Sequence, residues 1–510
     1  MTSAPLHFEL PENQSAQKFL AKLGKKVDIQ IASQQYAIKT FYDSFDWRLY
    51  DADIICEFNH SQTVSYLKII NRKSGKLIAL EEMPEVPTFI GQFKQSNIKK
   101  HLEQKLEMRA LLSLCQLPHE VYAVNILNKD QKTVLRLQID EYEFLANRVS
   151  LHPLKGYEKV VHKVSDIFLN SLALTPSNYT VLKTALKQQG RKPNDYSSKL
   201  VIKLKPDMRA DKACKVIYRH LLQAIQVNEA GTIADTDSEF LHDFRVAVRR
   251  TRAGLSQIKN TLPEHVVSKY VEFFAWLGKI TGTTRDLDVY LLSYQQYKAA
   301  LPLSVRNDLD PLYGFLKNKQ VIAQKEMAKK LTNSAYINQL VDWERYLKES
   351  FTKKEKASYS DLSIKELADQ RIWLVYKRVL KEGNAINKSS PAEALHDLRK
   401  TCKKLRYLME FFQSLYPEPD INKLVKVLKA FQTVLGDFQD YEIQEISIKH
   451  FSEEMMDQKV AANTLLAMGV LVQHLDSKKS QARDAFAEQF GNFKQAKNQQ
   501  AFKHLFSRKA

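Results

Sequence analysis

The sequence predicts two domains of different class: an α+β domain over residues 1–207 and an all-α domain over residues 208–510. Three observations carry that division. In the first part, short runs alternate apolar and polar residues, as half-buried strands do. In the second, apolar residues recur at intervals of three and four for hundreds of residues, as helices require. The 14 glycines and 15 prolines of the 510-residue chain fall, in that second part, mainly at breaks between such stretches.

The strands of the first domain are read at IICEF, VSYLKII, KLIALEEM, VYAVNIL, KTVLRLQI and KLVIKLKP, with NKDQK, around Lys129 and Asp130, as a turn between two of them. Residues Ile98 to Leu114 and Val160 to Leu174 read as helices. In the second domain, breaks stand at Thr261-Leu262-Pro263 and Tyr416-Pro417-Glu418-Pro419. Asp235, Asp237 or Ser238 marks one helix start by its capping chemistry. Ser390, Pro391 and Glu393 mark another, as cap, first helical residue and closing member of a capping box; that helix runs through His396 and Arg406 toward Phe412.

Composition and charge narrow the function. With 44% hydrophobic and 26% charged residues the chain is globular, which excludes a disordered or fibrous protein. Lys plus Arg number 77 against 58 Asp plus Glu, a formal charge of +19 that favours a polyanionic partner. Cys56, Cys115, Cys214 and Cys402 stand far apart, as reduced cysteines of a cytosolic protein do. The N-terminus MTSAPLHFELP lacks the charge and apolar core of a signal peptide, and the longest apolar run, LLAMGVLV, is too short for a membrane span. A cytoplasmic protein is expected.

The charge is patterned. HDFRVAVRRTR starts at His242 and HDLRKTCKKLR at His396, an offset of 154 residues. At that offset Arg245 matches Arg399, Arg249 matches Lys403, Arg250 matches Lys404 and Arg252 matches Arg406. A second signature keeps the register: GTTRD from Gly282, with Arg285 and Asp286, and GDFQD from Gly436, with Asp440. Two matches at one offset argue for an internal duplication, placed at about 238–355 and 360–480 with a C-terminal helical extension. At 100° per residue, His242, Arg245, Arg249 and Arg252 share a helix face about 80° wide and about 15 Å long. His396, Arg399, Lys403 and Arg406 repeat that face, with Lys400 beside it; Arg250 and Lys404 lie at its edge. Phe244, Val248 and Leu255 fall on the opposite, packed side, as do Leu398, Cys402, Leu405 and Met409.

Like charges stacked on one helix face repel. Two arrangements relieve that: a bound polyanion lying along both ladders, or internal carboxylates such as Asp286, Asp288, Asp437 and Asp440. Arginine offers bidentate contacts to phosphate and lysine a mobile point charge. His242 and His396 read either as phosphate contacts or as capping and packing residues. Arg371, Lys377, Arg378 and Lys381 on one predicted helix, and Lys423, Lys426 and Lys429 on another, extend the basic surface.

On both ladders, GTTRDLDV and LGDFQD, the chain from about Glu239 to Leu475 resembles CHAD-domain proteins. The resemblance implies two pseudo-symmetric four-helix bundles around a basic groove, binding of inorganic polyphosphate through His242, Arg245, Arg249, Arg252, His396, Arg399, Lys403 and Arg406, and association with polyphosphate granules. It implies no cofactor for that binding. The second ladder departs from an all-arginine form at Lys403 and Lys404, which keeps charge but loses bidentate geometry.

More distantly, FYDSFDWRLYDADI, MRALLSL, LNKDQKTVLRL and LKGYEK resemble segments of CYTH domains. That likeness implies an antiparallel tunnel that binds or hydrolyses triphosphate with Mg2+ or Mn2+. The ExExK entrance motif is missing: His7-Phe8-Glu9-Leu10-Pro11 keeps one acidic position, and Cys56-Glu57-Phe58-Asn59 stands where a basic pair is expected. Lys68, Arg136 and Lys203 remain as candidate phosphate ligands, and Glu57, Glu81, Glu82 and Glu158 as candidate metal ligands. Non-catalytic polyphosphate binding is therefore the expected function, with metal-dependent triphosphatase activity and binding of nucleic-acid backbone as the alternatives.

Overall fold

A computed structural model describes residues 5–12, 14–177, 180–349 and 357–507. It divides into two compact units, Met1–Ser198 and Lys199–Ala510. The first contains β1 (Leu6–Glu9), α1 (Ala16–Leu23), β2 (Ile29–Asp43), α2 (Arg48–Asp51), β3 (Ile54–Ser61), β4 (Ser65–Asn71), β5 (Leu77–Glu82), α3 (Asn97–Leu106), β6 (Leu112–Leu127), β7 (Thr133–Tyr142), β8 (Arg148–Pro153), α4 (Glu158–Asn170), β9 (Thr175–Pro176) and α5 (Leu182–Gln188). The strands form one antiparallel sheet in the order β5-β4-β3-β2-β6-β7-β8-β1-β9.

Strand alternation sorts this sheet into two chemically distinct faces. Phe8, Leu135, Leu137, Ile139, Val149 and Leu151 pack on α1 and α4, and Cys56, Phe58, Leu67 and Ile69 pack on α3. The other face carries His7, Glu9, Lys39, Glu57, Asn59, Lys68, His119, Asp140, Arg148 and His152, joined by register. Lys68 on β4 acts electrostatically on His152 of β8. The two strands are five steps apart, about 24 Å in a flat sheet at about 4.8 Å per step. The sheet therefore curls around its polar face, in agreement with the expected tunnel.

The structure departs from the expected elements in three places. The helix expected to reach Leu114 stops at Leu106, because Glu107 takes a left-handed φ of 51° and the chain then enters β6. β1, β2, β8 and the short β9 were not expected; IQIASQQY on β2 is almost wholly exposed and shows no apolar alternation to read. KLVIKLKP is extended but belongs to no strand. Leu200, Ile202 and Leu204 insert into the helical core instead, tied by Gln413 Nε2 to Leu200 O at 2.8 Å and by Leu204 N to Ser414 Oγ at 3.1 Å. This moves the boundary from 207 to 198 and takes Lys203 out of the sheet.

The second unit is helical: α6 (Ala210–Ile233), α7 (Ser238–Gln257), α8 (Glu264–Ile280), α9 (Gly282–Ala300), α10 (Asp310–Leu331), α11 (Ser334–Lys348), α12 (Ile364–Ala385), α13 (Ala392–Phe412), α14 (Glu418–Asp457), α15 (Ala462–Phe493) and α16 (Ala496–Phe506). The offset of 154 maps α6 on α12, α7 on α13, α8 with α9 on α14, and α10 with α11 on α15 with α16. The repeat is thus longer than 238–355, whose last residue lies outside the described residues, and its start moves back to about 208. At the start of the two copies, Ala210 N donates to Leu362 O and Ile364 N to Met208 O, both at 2.8 Å, around an antiparallel bridge between Arg209 and Ser363. Arg209 pairs with its own repeat counterpart, and Ala210 and Ile364 each bond the residue two before theirs, so a pseudo-twofold axis passes here.

Local capping places α7. Asp237 accepts from Glu239 N at 2.9 Å and Phe240 N at 3.2 Å. The capping box expected at Ser390 does not form: Ser390 Oγ accepts from Asn387 N at 3.0 Å within its own turn, and α13 begins after Pro391 without a side-chain cap. Phe240, in the first turn of α7, lies flat against α6, where a Cβ on Gly231 would stand 2.3 Å from the ring. Gly231→Ala should therefore destabilise the helical unit by about 1–3 kcal/mol through overpacking, read as a lower denaturation midpoint with unchanged helicity in buffer.

Candidate functional site

The two basic ladders occupy α7 and α13 as the helical arithmetic requires. Phe244, Val248 and Leu255 are buried, as are Leu398, Cys402, Leu405 and Met409, so the core faces lie opposite the cations. The second signature stands over the first. Arg245 Nη1 donates to Gly278 O and Thr281 Oγ1, both at 2.8 Å, and a Cβ on Gly282 would come within 3.7 Å of it. Arg399 Nη1 donates to Gln439 Oε1 at 3.0 Å and its Nη2 to Asp440 Oδ1 at 3.1 Å, above Gly436. By taking a helix carbonyl, Arg245 occupies the point where α8 and α9 part at Thr281. Arg399 takes side chains instead, and the equivalent α14 runs unbroken for 40 residues.

The copies also differ in how their charge is met. In the second, His396 Nε2 lies 2.6 Å from Glu442, and Asp440 pairs with Arg399. In the first, the counterpart of Glu442 is Asp288, which accepts from Gln320 at 3.2 Å; burial and Asp235 push its carboxyl up to about 7. Asp286, the counterpart of Asp440, is raised by burial and stands within electrostatic reach of Arg245 without an ion pair among the described residues. Arg285 donates to Ser238 O at 3.0 Å and so ties α9 to the start of α7. Lys400 is exposed and pairs with Asp397 at 3.0 Å, away from the other ladder residues. Arg250 and Arg406, one from each ladder helix, both turn to Glu410, at 2.9 and 3.5 Å.

Arg249 and Lys403 are different. Among the described residues neither makes an ion pair or a hydrogen bond, and the same holds for Arg252 and Lys404. Arg249 and Lys403 are repeat counterparts on different helices, yet each lies within the other's field. Burial pushes the Lys403 amine down to about 8, helped by Arg399 and Arg249. Burial and Arg249 likewise push Arg245 down to about 10. The centre of the site is thus a half-buried concentration of positive charge that no carboxylate meets in an ion pair among the described residues; Asp440 and Asp286 act on Lys403 and Arg249 only through their fields. Among the described residues, the candidate carboxylates Asp286, Asp288, Asp437 and Asp440 supply one ion pair to the ladders, from Asp440; Glu410 and Glu442, which the sequence did not single out, supply others, and Asp397 pairs with Lys400.

The polar face of the sheet is neutralised in a different manner. Lys39 Nζ lies 2.9 Å from Asp140 and donates to Tyr142 Oη at 2.8 Å. His119 Nε2 is 3.7 Å from the same carboxylate. Arg148 pairs with Glu9 at 2.6 Å, while Glu57 accepts from Asn59 at 2.7 Å and stands 4.0 Å from Lys68. Burial opposes the charge on Lys39, but Asp140 and Tyr142 hold its ammonium well above the usual range; Asp140, against its own burial, is held low by Lys39 and His119. Lys68, Arg136, Glu57 and Glu82 share this face, whereas Glu81 points to the other and Glu158 opens α4. Lys39, His119, Asp140 and Arg148 escaped the sequence reading, although Lys39 alternates with apolar neighbours in YAIKTF.

A family model for the CHAD domain matches residues 216–448, which contain both ladders and both signatures. Residues 216–448 form a CHAD domain. Among solved structures, the CHAD domain from the plant Ricinus communis shares 23% identity over 57% of this chain and 95% of its own, with a TM-score of 0.48. PptA from Streptomyces chartreusis shares 15% over 55% of this chain and 99% of its own, with a TM-score of 0.43. HpAC1 from Hippeastrum, a protein with a dominant triphosphatase activity, shares 15% over 38% of this chain and 98% of its own, with a TM-score of 0.29. A comparison with curated proteins gives no match.

The sheet does not suit the divalent ion that a triphosphate tunnel implies. Such an ion needs several oxygen ligands left free of competing cations. Here Glu9, Glu57 and Asp140 each face a lysine or arginine, and no three His, Cys, Asp or Glu side chains converge as a metal site among the described residues. The same burial holds the imidazoles neutral: His7 is pushed down to about 4 by burial and by His152 and Arg148, and His119 and His152 are lowered by burial and by Lys39 and Lys68. Between the unfolded value of 6.5 and about 4, the unfolded chain binds protons that folded His7 refuses. Stability of the sheet should therefore fall as pH drops through that window, read as faster hydrogen exchange of sheet amides at pH 5 than at pH 7 after correction for intrinsic rates. His7→Asn should flatten the fall.

Proposed function

We propose that the CHAD domain binds inorganic polyphosphate along the facing ladders of α7 and α13, by contact and without chemistry. The observation that carries this reading is the pairing of Arg249 with Lys403: two equivalent cations, half-buried in one another's field, neither in an ion pair among the described residues although Asp286 and Asp440 lie within electrostatic reach. A half-buried charge pair of one sign raises the energy of the folded chain unless an anion joins it. A phosphate chain presents evenly spaced anionic oxygens, which suit cations repeated along two helix faces. CHAD domains are associated with polyphosphate, which agrees with this ligand. Arg245, Arg399, His242 and His396 flank the centre; Arg252, Lys403 and Lys404 leave cations for further phosphates. Binding needs no cofactor, and attachment to long polyphosphate brings granule association with it. No helix among the described residues is long and apolar enough to cross a membrane.

Arg249→Glu combined with Lys403→Glu tests the reading better than changes at Arg245 and Arg399, whose guanidiniums also hold the junction of α8 with α9 and the middle of α14 in place. The double variant should lose about a hundredfold or more in affinity for long-chain polyphosphate, since each charge-assisted contact is worth about 1.5–3 kcal/mol. Titration at near-physiological salt checks this, with circular dichroism to confirm intact helices. Affinity unchanged by the double reversal refutes the site. Competition with matched amounts of RNA and DNA phosphate separates polyphosphate from nucleic-acid backbone as the ligand.

Lys403 gives a second test with a defined sign. Its amine titrates at about 8 in the free protein, and a bound phosphate favours the ammonium. Binding then takes up a proton, so affinity should fall as pH rises above about 8. Lys403→Arg, which keeps its charge, should remove most of that fall.

A further inference from the structure

The ladders match at four positions, but the carboxylates around them do not. Glu410 follows Arg406 by one turn of α13, and its repeat counterpart on α7 is Ser256. Its Oε2 accepts from Arg250 Nη2 of α7 at 2.9 Å, and its Oε1 lies 3.5 Å from Arg406 Nε of its own helix. The side chain is only 13% exposed. Arg250 and Arg406 are not counterparts of one another, so this three-residue cluster breaks the twofold pattern. Both carboxylate oxygens engage a guanidinium, one from each ladder helix, in the way that two oxygens of a phosphate would.

From this we infer that Glu410 is a resident anion that closes one end of the ligand site, keeping Arg250 and Arg406 from the phosphate chain and setting where the chain stops. The inference rests on the proposed polyphosphate reading and deepens it. A chain passing Arg249 and Lys403 next meets a fixed negative charge. Like charges at that distance repel, in a site partly shielded from water where repulsion is strengthened. Six cations of the ladders then face ligand beside His242 and His396, rather than a continuous run through Arg250 and Arg406.

The test compares wild type with Glu410→Gln, an uncharged isostere, and Glu410→Ser, which restores the residue of the other repeat. Titrations use long-chain inorganic polyphosphate at several salt concentrations, with thermal melting of each protein alone and with ligand. Both variants should bind at least tenfold tighter than wild type. Their dependence of log affinity on log salt should steepen by about one to two, because each added phosphate contact contributes roughly 0.7–0.9. Melting temperatures should fall without ligand and recover with it. A lower melting temperature with unchanged affinity and salt slope would make Glu410 a structural bridge alone and overturn the inference. Binding by the variants but not by wild type would uphold the block while refuting the proposed function; binding by none of the three would sink both.

Discussion

Repulsion between Arg249 and Lys403 is the constraint around which the helical unit is arranged. Helices could hide these side chains from one another by a small rotation, yet the apolar faces of α7 and α13 do not permit it. Phe244, Val248, Leu398 and Leu405 are fully buried on the opposite sides, and turning either helix would expose them. Burying such side chains is worth about 1.5–3 kcal/mol each. The hydrophobic effect therefore holds like charges together, and the energy stored there is available to whatever anion relieves it. The surrounding contacts manage the remaining cations: backbone and hydroxyl oxygens for Arg245, carboxylates for Arg399, His396, Arg250 and Arg406.

The two units solve the burial of charge in opposite ways. On the sheet, Lys39, Arg148 and Lys68 each have an acid partner close by, and the acids left over do not gather into a metal-binding group among the described residues. Breaking one of those pairs would strand a buried charge. Such a face is stable when empty. At the centre of the CHAD domain Arg249 and Lys403 have the fields of Asp286 and Asp440 but no ion pair among the described residues, so an added anion has more to gain there than on the sheet.

Legibility of the sequence followed period. The helical arithmetic placed all eight ladder residues and their apolar backs, because a 3.6-residue repeat specifies a face without any tertiary information. The offset between His242 and His396 gave the duplication for the same reason. Glu442 and Gln439 were not legible as partners, since their contacts depend on how α14 lies against α13. Glu410 stood four residues after Arg406, a readable pair, but its reach to Arg250 required the pairing of helices. In the sheet, Lys39 lies on a strand whose outer half has no apolar alternation and Arg148 on one that was not seen, so the polar face could not be assembled. KLVIKLKP shows the limit of alternation itself: the same period-two pattern serves a strand or an extended segment whose alternate side chains feed a helical core.

The reciprocal backbone bonds at residues 208–210 and 362–364 carry an evolutionary consequence. A contact in which a segment pairs with its own copy is the signature of an isologous homodimer. A half-length ancestor would have presented one ladder per subunit and brought the two together only by self-association, with every feature doubled. Fusion into one polypeptide released the copies from that symmetry. The two copies can then differ, as Lys403 does from Arg249 and Glu410 from Ser256, where a homodimer would have to carry the same residue on both sides.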